Sequence, residues 1–135
     1  MLMIPSCKKD EISFSNVPSI EFTSISPTTA HQYIDPIVIA IKYKDGNGDL
    51  GENSTSAVNC FVTDNRMGIT YKLRIQQLAP ENANIPIEGS LNINIGGQII
   101  ADSSNSQTAT YSLYLTDRAG NKSNTISTSA INIIR

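Results

Sequence analysis

The stretch Ile37-Val-Ile-Ala-Ile-Lys-Tyr43-Lys-Asp-Gly-Asn-Gly-Asp-Leu-Gly51 decides the fold. Ile37, Ile39, Ile41 and Tyr43 fall on one side of an extended chain. Val38 and Ala40 fall on the other, which turns polar at Lys42 and Lys44. A period of two marks a strand with one buried face, and Pro36 stands at a first position, where a strand tolerates proline. A corner follows, in which Asp45, Asn47 and Asp49 alternate with Gly46 and Gly48. Short polar side chains that bond their own backbone, and glycines free to take positive φ, turn a chain at such a place.

Working outward, the same period recurs. Val17 to Ile25 alternates and stops at Ser26-Pro27, and Thr28 to Asp35 reads as a polar connection. Ala57 to Asp64 is apolar on both faces and is expected to be covered on both. Asp64 to Gly68 is turn chemistry. Ile69, Tyr71, Leu73 and Ile75 alternate with Thr70, Lys72, Arg74 and Gln76, a strand with one wet face. Leu78 to Pro86 is a loop. Ile87, Leu91, Ile93 and Ile95 share the next apolar face, and Gly96-Gly97 reads as a hairpin turn returning through Ile99-Ile100. Ala109, Tyr111, Leu113 and Leu115 form another strand, and Arg118 to Lys122 a tight turn. In the last strand, Thr125 to Ile134, Ile126 and Ile131 have opposite parity, which calls for a bulge or twist between Thr128 and Ala130. Nothing reads as a crossover helix, so a parallel sheet is not expected. The pattern predicts an all-β, two-sheet antiparallel sandwich of about seven strands over residues 17–135.

At 135 residues the chain makes one domain with a core of its own. Charged residues are 16% and the net charge is −2, which leaves no footprint for nucleic acid. Tryptophan is absent and aromatics are 6%, a poor supply for a stacking platform. Cys60 lies in the apolar run Val58-Asn-Cys-Phe-Val62 and reads as a small buried hydrophobe; no cation adjoins it to favour a thiolate. The single histidine, His31, falls in a connection. A nucleophile needs a positioned base, and no Gly-x-Ser-x-Gly elbow is present. Asp45 and Asp117 could pair for glycoside hydrolysis, but both follow turn rules and their loops lack sugar-gripping aromatics. The chain is therefore read as no enzyme.

Residues 1–16 stand apart. Met1-Leu-Met-Ile-Pro-Ser-Cys7 is apolar, and polarity switches at Lys8. This resembles the end of a bacterial lipoprotein signal, with a small residue before the cysteine that takes the lipid. Lys9-Asp10-Glu11 resembles the surface-export tag of Bacteroidetes lipoproteins. The apolar part is short and no basic segment precedes it, so it reads as a truncated signal. The resemblance implies lipid on Cys7, a tether from Glu11 to Asn16, and an address on the outer membrane, exposed at the surface.

If strands alternate in direction, Asp45–Ser56, Leu78–Pro86 and Asp117–Asn124 share one end of the sandwich with the start of the first strand. Asp64–Gly68 lies at the other end. Asp45, Asn47, Asp49, Glu52 and Asp117 then offer oxygens to a hard cation such as Ca2+, which takes six to eight. Asp45 to Asp49 resembles the first half of an EF-hand or dockerin loop. Leu50 stands where that loop has glycine and Ser56 where it has the closing glutamate, so only a site completed by Glu52 or Asp117 fits. Plain turn chemistry explains the same residues without a metal.

Tyr111 to Asn124, with its Asp-Arg-Ala-Gly-Asn turn, resembles the F–G hairpin of bacterial immunoglobulin-like domains. Together with Tyr43–Gly51, it makes the chain resemble the small immunoglobulin-like lipoproteins of the Bacteroidetes. That implies a non-catalytic envelope module, structural or adhesive, held to the membrane through Cys7 and meeting a surface protein or glycan. The alternative is a calcium-stabilised module binding a glycan or small ligand at loops 45–56, 78–86 and 117–124. Tyr33, Tyr43, Tyr71, Tyr111 and Tyr114 separate the two, since tyrosines in the core favour the structural module. By parity Tyr43, Tyr71 and Tyr111 face inward and Tyr114 outward.

Overall fold

Ile37, Ile39 and Ile41 have no exposed surface. They lie on β3 (Pro36–Asp45), the central strand of a sheet ordered β1-β3-β6, with β1 spanning Ser19–Ser26 and β6 Ile87–Gly97. Both neighbours run antiparallel to β3. The computed structural model describes residues 14–80 and 82–135. Cys7 and the Lys9-Asp10-Glu11 tag lie outside the described residues.

A second sheet has the order β5-β4-β8-β9, antiparallel throughout: β4 is Cys60–Asp64, β5 Ile69–Leu73, β8 Tyr111–Leu115 and β9 Ile126–Ser127. Cys60, Val62, Tyr111, Leu113 and Leu115 point from it into one core with the isoleucines of β3. The chain is thus an all-β, two-sheet sandwich. Each fully buried isoleucine removes enough apolar surface to contribute roughly 1.5–3 kcal/mol, and a one-residue slip of β3 would turn them all to water. Among the described residues no helix is long and apolar enough to cross a membrane.

A third, small sheet extends the second layer. β7 (Ser106–Ala109) pairs with β10 (Ile131–Ile134), and β10 also pairs with β2 (Thr29–His31) in parallel. The expected hairpin Ala109–Leu115 with Thr125–Ile134 therefore breaks on both arms at one level, at Thr110 and at Thr128–Ala130. Tyr111 N–H donates to Thr128 Oγ1 at 3.1 Å, and Thr128 N–H donates to Tyr111 O at 2.9 Å. The parity change between Ile126 and Ile131 is this break.

Four expectations are corrected. Thr28–Asp35 contains a strand, and its pairing is parallel. Gly96-Gly97 is no hairpin turn: both residues remain in β6, paired with Ile37 and Pro36. The register shifts between Ile37 and Val38 where Gly96 takes a φ of 76°, so the glycine serves a bulge, and no strand returns through Ile99-Ile100. The third strand begins at Cys60 and its outer face is not covered. Phe61 is half-buried and stacks on Tyr114, with ring centroids 4.8 Å apart. Finally, the described residues form ten strands where about seven were expected, because β2 is added and two long strands divide where they change partners.

Candidate functional site

β3 ends on Asp45, which has no exposed surface. The loop after it stays close to the sandwich. Gly46 N–H donates to Ser15 O at 2.8 Å and Leu78 N–H to Leu50 O at 3.3 Å. Gly48 and Gly51 hold φ values of 71° and 83°, with Ile85 O and Gln76 O where a Cβ would stand. Only glycine permits both the conformation and the approach. Loops 45–56, 78–86 and the turn after β8 thus meet at one end, beside the start of β1, whose Ile20 N–H donates to Asn124 Oδ1 at 2.8 Å.

At this end Asp45, Asp49 and Asp117 bring one carboxylate oxygen each within 4.8 Å of the others. Asp117 is held by an extended bridge with Leu50 and by its own turn, where Oδ1 accepts from Asn121 N–H at 2.7 Å and Oδ2 from Asn121 Nδ2 at 3.0 Å. Gly120, at φ 88°, closes that turn. Asp45 Oδ2 accepts from Asp49 N–H at 3.0 Å. Burial pushes the Asp45 carboxyl up to about 6, and the neighbouring carboxylates of Asp49 and Asp117 add to the shift.

Asn47 lies over the group. Its amide nitrogen, turned inward, donates to Asp45 Oδ1 at 3.0 Å and to Asp49 Oδ1 at 2.6 Å. With its nitrogen inward the amide satisfies both carboxylates without a metal.

Glu52 is not brought into this group. Its amide donates to Ile75 O at 2.9 Å, on the β5 side of the loop. There it lines a groove of about 430 Å³ with Asn53, Ser54, Gln77, Asn82 and Arg118. Arg118 is a residue that sequence reasoning passed over. Its amide donates to Asp49 O at 3.1 Å and its Nη1 to Gly51 O at 2.5 Å, which ties the turn to the loop. The recurrence of Thr-Asp before an arginine, at Thr63–Arg66 and Thr116–Arg118, was the available signal. A second groove, of about 390 Å³, lies along β1, β3 and β6, edged by Glu21, Lys42, Lys44 and Glu88.

The other singled-out residues are spent on the fold. Tyr111 is fully buried, and its hydroxyl and that of Tyr71 both donate to Gln98 Oε1 at 3.1 Å. Tyr43 packs against the core. Tyr114 is half-buried between Phe61 and Lys122, whose Nζ stands 4.1 Å from the ring centroid. His31 is exposed and bonds Asp35 at 3.0 Å. Cys60 is fully buried, and burial pushes its thiol up to about 12. No family model, characterised protein or solved structure matches the chain.

Proposed function

We propose that this chain is a non-catalytic, lipid-anchored module of a bacterial outer surface, an immunoglobulin-like sandwich that spaces or docks other envelope components. One observation carries the reading: four of the five tyrosines are committed to the fold, three of them in or against the core and Tyr114 against Phe61, and only Tyr33 stands in water. The described chain begins at the acidic end, beside Gly46. The test is metabolic labelling with a clickable palmitate in a bacterial host. The wild type is expected to take label, enter the membrane fraction and be cut by protease added to intact cells. Cys7→Ala is expected to do none of these. An unlabelled, soluble wild type overturns the anchored reading.

A second reading, a divalent cation at the acidic end, is favoured by the carboxylate oxygens that Asp45, Asp49 and Asp117 bring together. Ca2+ bonds oxygen at about 2.3–2.6 Å, so oxygens across the ion stand about 4.6–5.2 Å apart. The 4.8 Å spread of Asp45, Asp49 and Asp117 fits that size. Asp45, Asn47, Asp49 and Asp117 would hold the ion, which would stiffen the loops. Millimolar CaCl2 is expected to raise the melting temperature relative to EDTA, and Asp49→Asn to remove the increment. A wild-type melt identical in both conditions ends this reading.

A further inference from the structure

The longest strand of the sandwich is bonded on one side only. β6 runs for 11 residues and pairs with β3, and among the described residues no backbone pairs along its other side. The direction of its free groups follows from β1. Ile20 N–H donates to Asn124 Oδ1 at 2.8 Å and Ile20 O accepts from Asn124 Nδ2 at 2.9 Å, so both groups point away from β3. In an antiparallel ladder alternate residues bond opposite neighbours. Tyr43, the partner of Ile20, therefore bonds Gly89 on β6, as Ile41 bonds Leu91 and Ile39 bonds Ile93. The residues between them, Glu88, Ser90, Asn92 and Asn94, turn N–H and C=O outward, and all four are exposed.

Sheet edges are normally blunted by lysine, proline, a bulge, shortness or a cover. The other edges of this sandwich are. The Asn124 amide covers β1, which also carries a bulge between Phe22 and Ser24. β5 carries Lys72, and β2, β7 and β9 are four residues long or shorter. From Ile87 to Asn94, β6 has no lysine, no proline, no shift of register and a single charge, Glu88. The flank below it is open as well. β1 lies beside β9, which puts β6 on the β5 side of the sandwich. There Tyr71, Leu73, Ile87 and Leu91 are only half-buried, and Ile69 is 51% exposed.

Unpaired N–H and C=O groups at alternate positions along a straight edge select an extended backbone as their partner. The half-buried row beneath them calls for apolar residues at every second position of that partner, with polar ones between. β6 carries this pattern itself, Ile87, Leu91, Ile93 and Ile95 alternating with Glu88, Ser90, Asn92 and Asn94. Set antiparallel to a second β6 about a two-fold axis at Leu91, it places Ser90 opposite the other copy's Asn92 and Glu88 opposite its Asn94. All four outward-facing residues are then bonded, no like charges meet, and Leu91 packs on Leu91. We infer that the chain pairs with a second copy of itself, β6 against β6, in one continuous sheet ordered β1-β3-β6-β6-β3-β1. A ladder from Ile87 to Ile95 is about 30 Å long and the two layers about 15–20 Å deep. The pair therefore buries about 900–1,200 Å² in all, the lower end for a specific interface, and is reversible. It forms whether or not the chain is anchored.

Sedimentation velocity on the full chain, made without lipid, tests this. The wild type is expected to pass from monomer to dimer as its concentration rises. Asn92→Pro removes an outward N–H and no bond to β3, so it is expected to weaken the dimer at least tenfold while the dilute protein melts close to the wild type. Ser90→Glu/Asn92→Glu and Ser90→Lys/Asn92→Lys each set like charges opposite one another in the pair and are expected to stay monomeric. Their equimolar mixture sets Glu against Lys and is expected to recover the dimer, which damage to the fold would not allow. A dimer indifferent to Asn92→Pro overturns the inference, as does a charge mixture that stays monomeric. A wild type still monomeric at millimolar concentration also overturns it. If that monomer binds a display-selected peptide that slows hydrogen exchange at the Ser90 and Asn92 amides, the edge takes a foreign strand instead.

Discussion

Arg66 grips Asp64 with two parallel hydrogen bonds, Nη2 to Oδ2 at 2.7 Å and Nε to Oδ1 at 3.1 Å. The Asp64 side chain has no exposed surface and that of Arg66 has 7%. The same guanidinium reaches Ile99 O at 2.7 Å and Gln107 Oε1 at 2.8 Å. It therefore joins the β4–β5 turn to the segments on either side of the loop before β7. Only a planar fork makes all four bonds, so lysine is no substitute.

Removing one partner of a buried ion pair leaves an uncompensated charge and costs about 3–5 kcal/mol. Arg66→Ala is expected to lose about that much in urea unfolding. Asp64→Leu/Arg66→Met, which removes both charges, is expected to lose far less. Equal losses for the two proteins would show that packing, and not charge, sets the cost.

Gln98, only 2% exposed, accepts from two tyrosine hydroxyls while its Nε2 donates to Ile95 O at 3.2 Å. Gln98→Leu keeps much of the volume but strands the buried Tyr111 hydroxyl, a loss of about 1–3 kcal/mol. On a Tyr111→Phe background the same substitution should cost less. A double-mutant cycle in guanidinium measures the difference, and additive losses argue against the network.

Cys60 has a thiol pushed up to about 12 by burial and no exposed area. Thiolate is the reactive form. Ellman's reagent at pH 8 is therefore expected to leave Cys60 unmodified for as long as the chain stays folded, and to modify it at once in 6 M guanidinium. A thiol that reacts rapidly without denaturant would contradict the burial of β4.

The parts of the fold legible in the sequence are those where one face is buried. Ile37, Ile39 and Ile41 fix the parity of β3, and Ile126 against Ile131 locates the break before β10. The alternation of strand directions is enough to bring Asp45, Asp49 and Asp117 to one end. What stayed illegible depends on distant pairing. Thr29–His31 is too short to alternate, and β10 makes it a strand. Gly96-Gly97 has the composition of a turn, yet Pro36 and Ile37 hold it in the sheet and the positive φ goes to a bulge. Glu52 belongs to the acidic loop in sequence but its amide follows Ile75.

Asp45 gives the acidic end a pH dependence of known sign. Its carboxyl, raised from 3.8 to about 6, keeps a proton in the folded chain at pH values where the unfolded chain has lost it. Protons then favour the folded state, so this contribution is full below pH about 4 and is lost as pH rises through 6. In EDTA, the melting temperature of the wild type relative to Asp45→Asn is expected to fall between pH 4.5 and 7 and then level. Taking the difference removes carboxylates of opposite slope, Asp35 and Asp102, which both proteins share. A cation at this corner competes with the proton, so the stabilisation by calcium should grow over the same interval. Parallel curves for the two proteins, with and without calcium, would mean that Asp45 is ionised in the folded chain over this interval and that no cation competes for it.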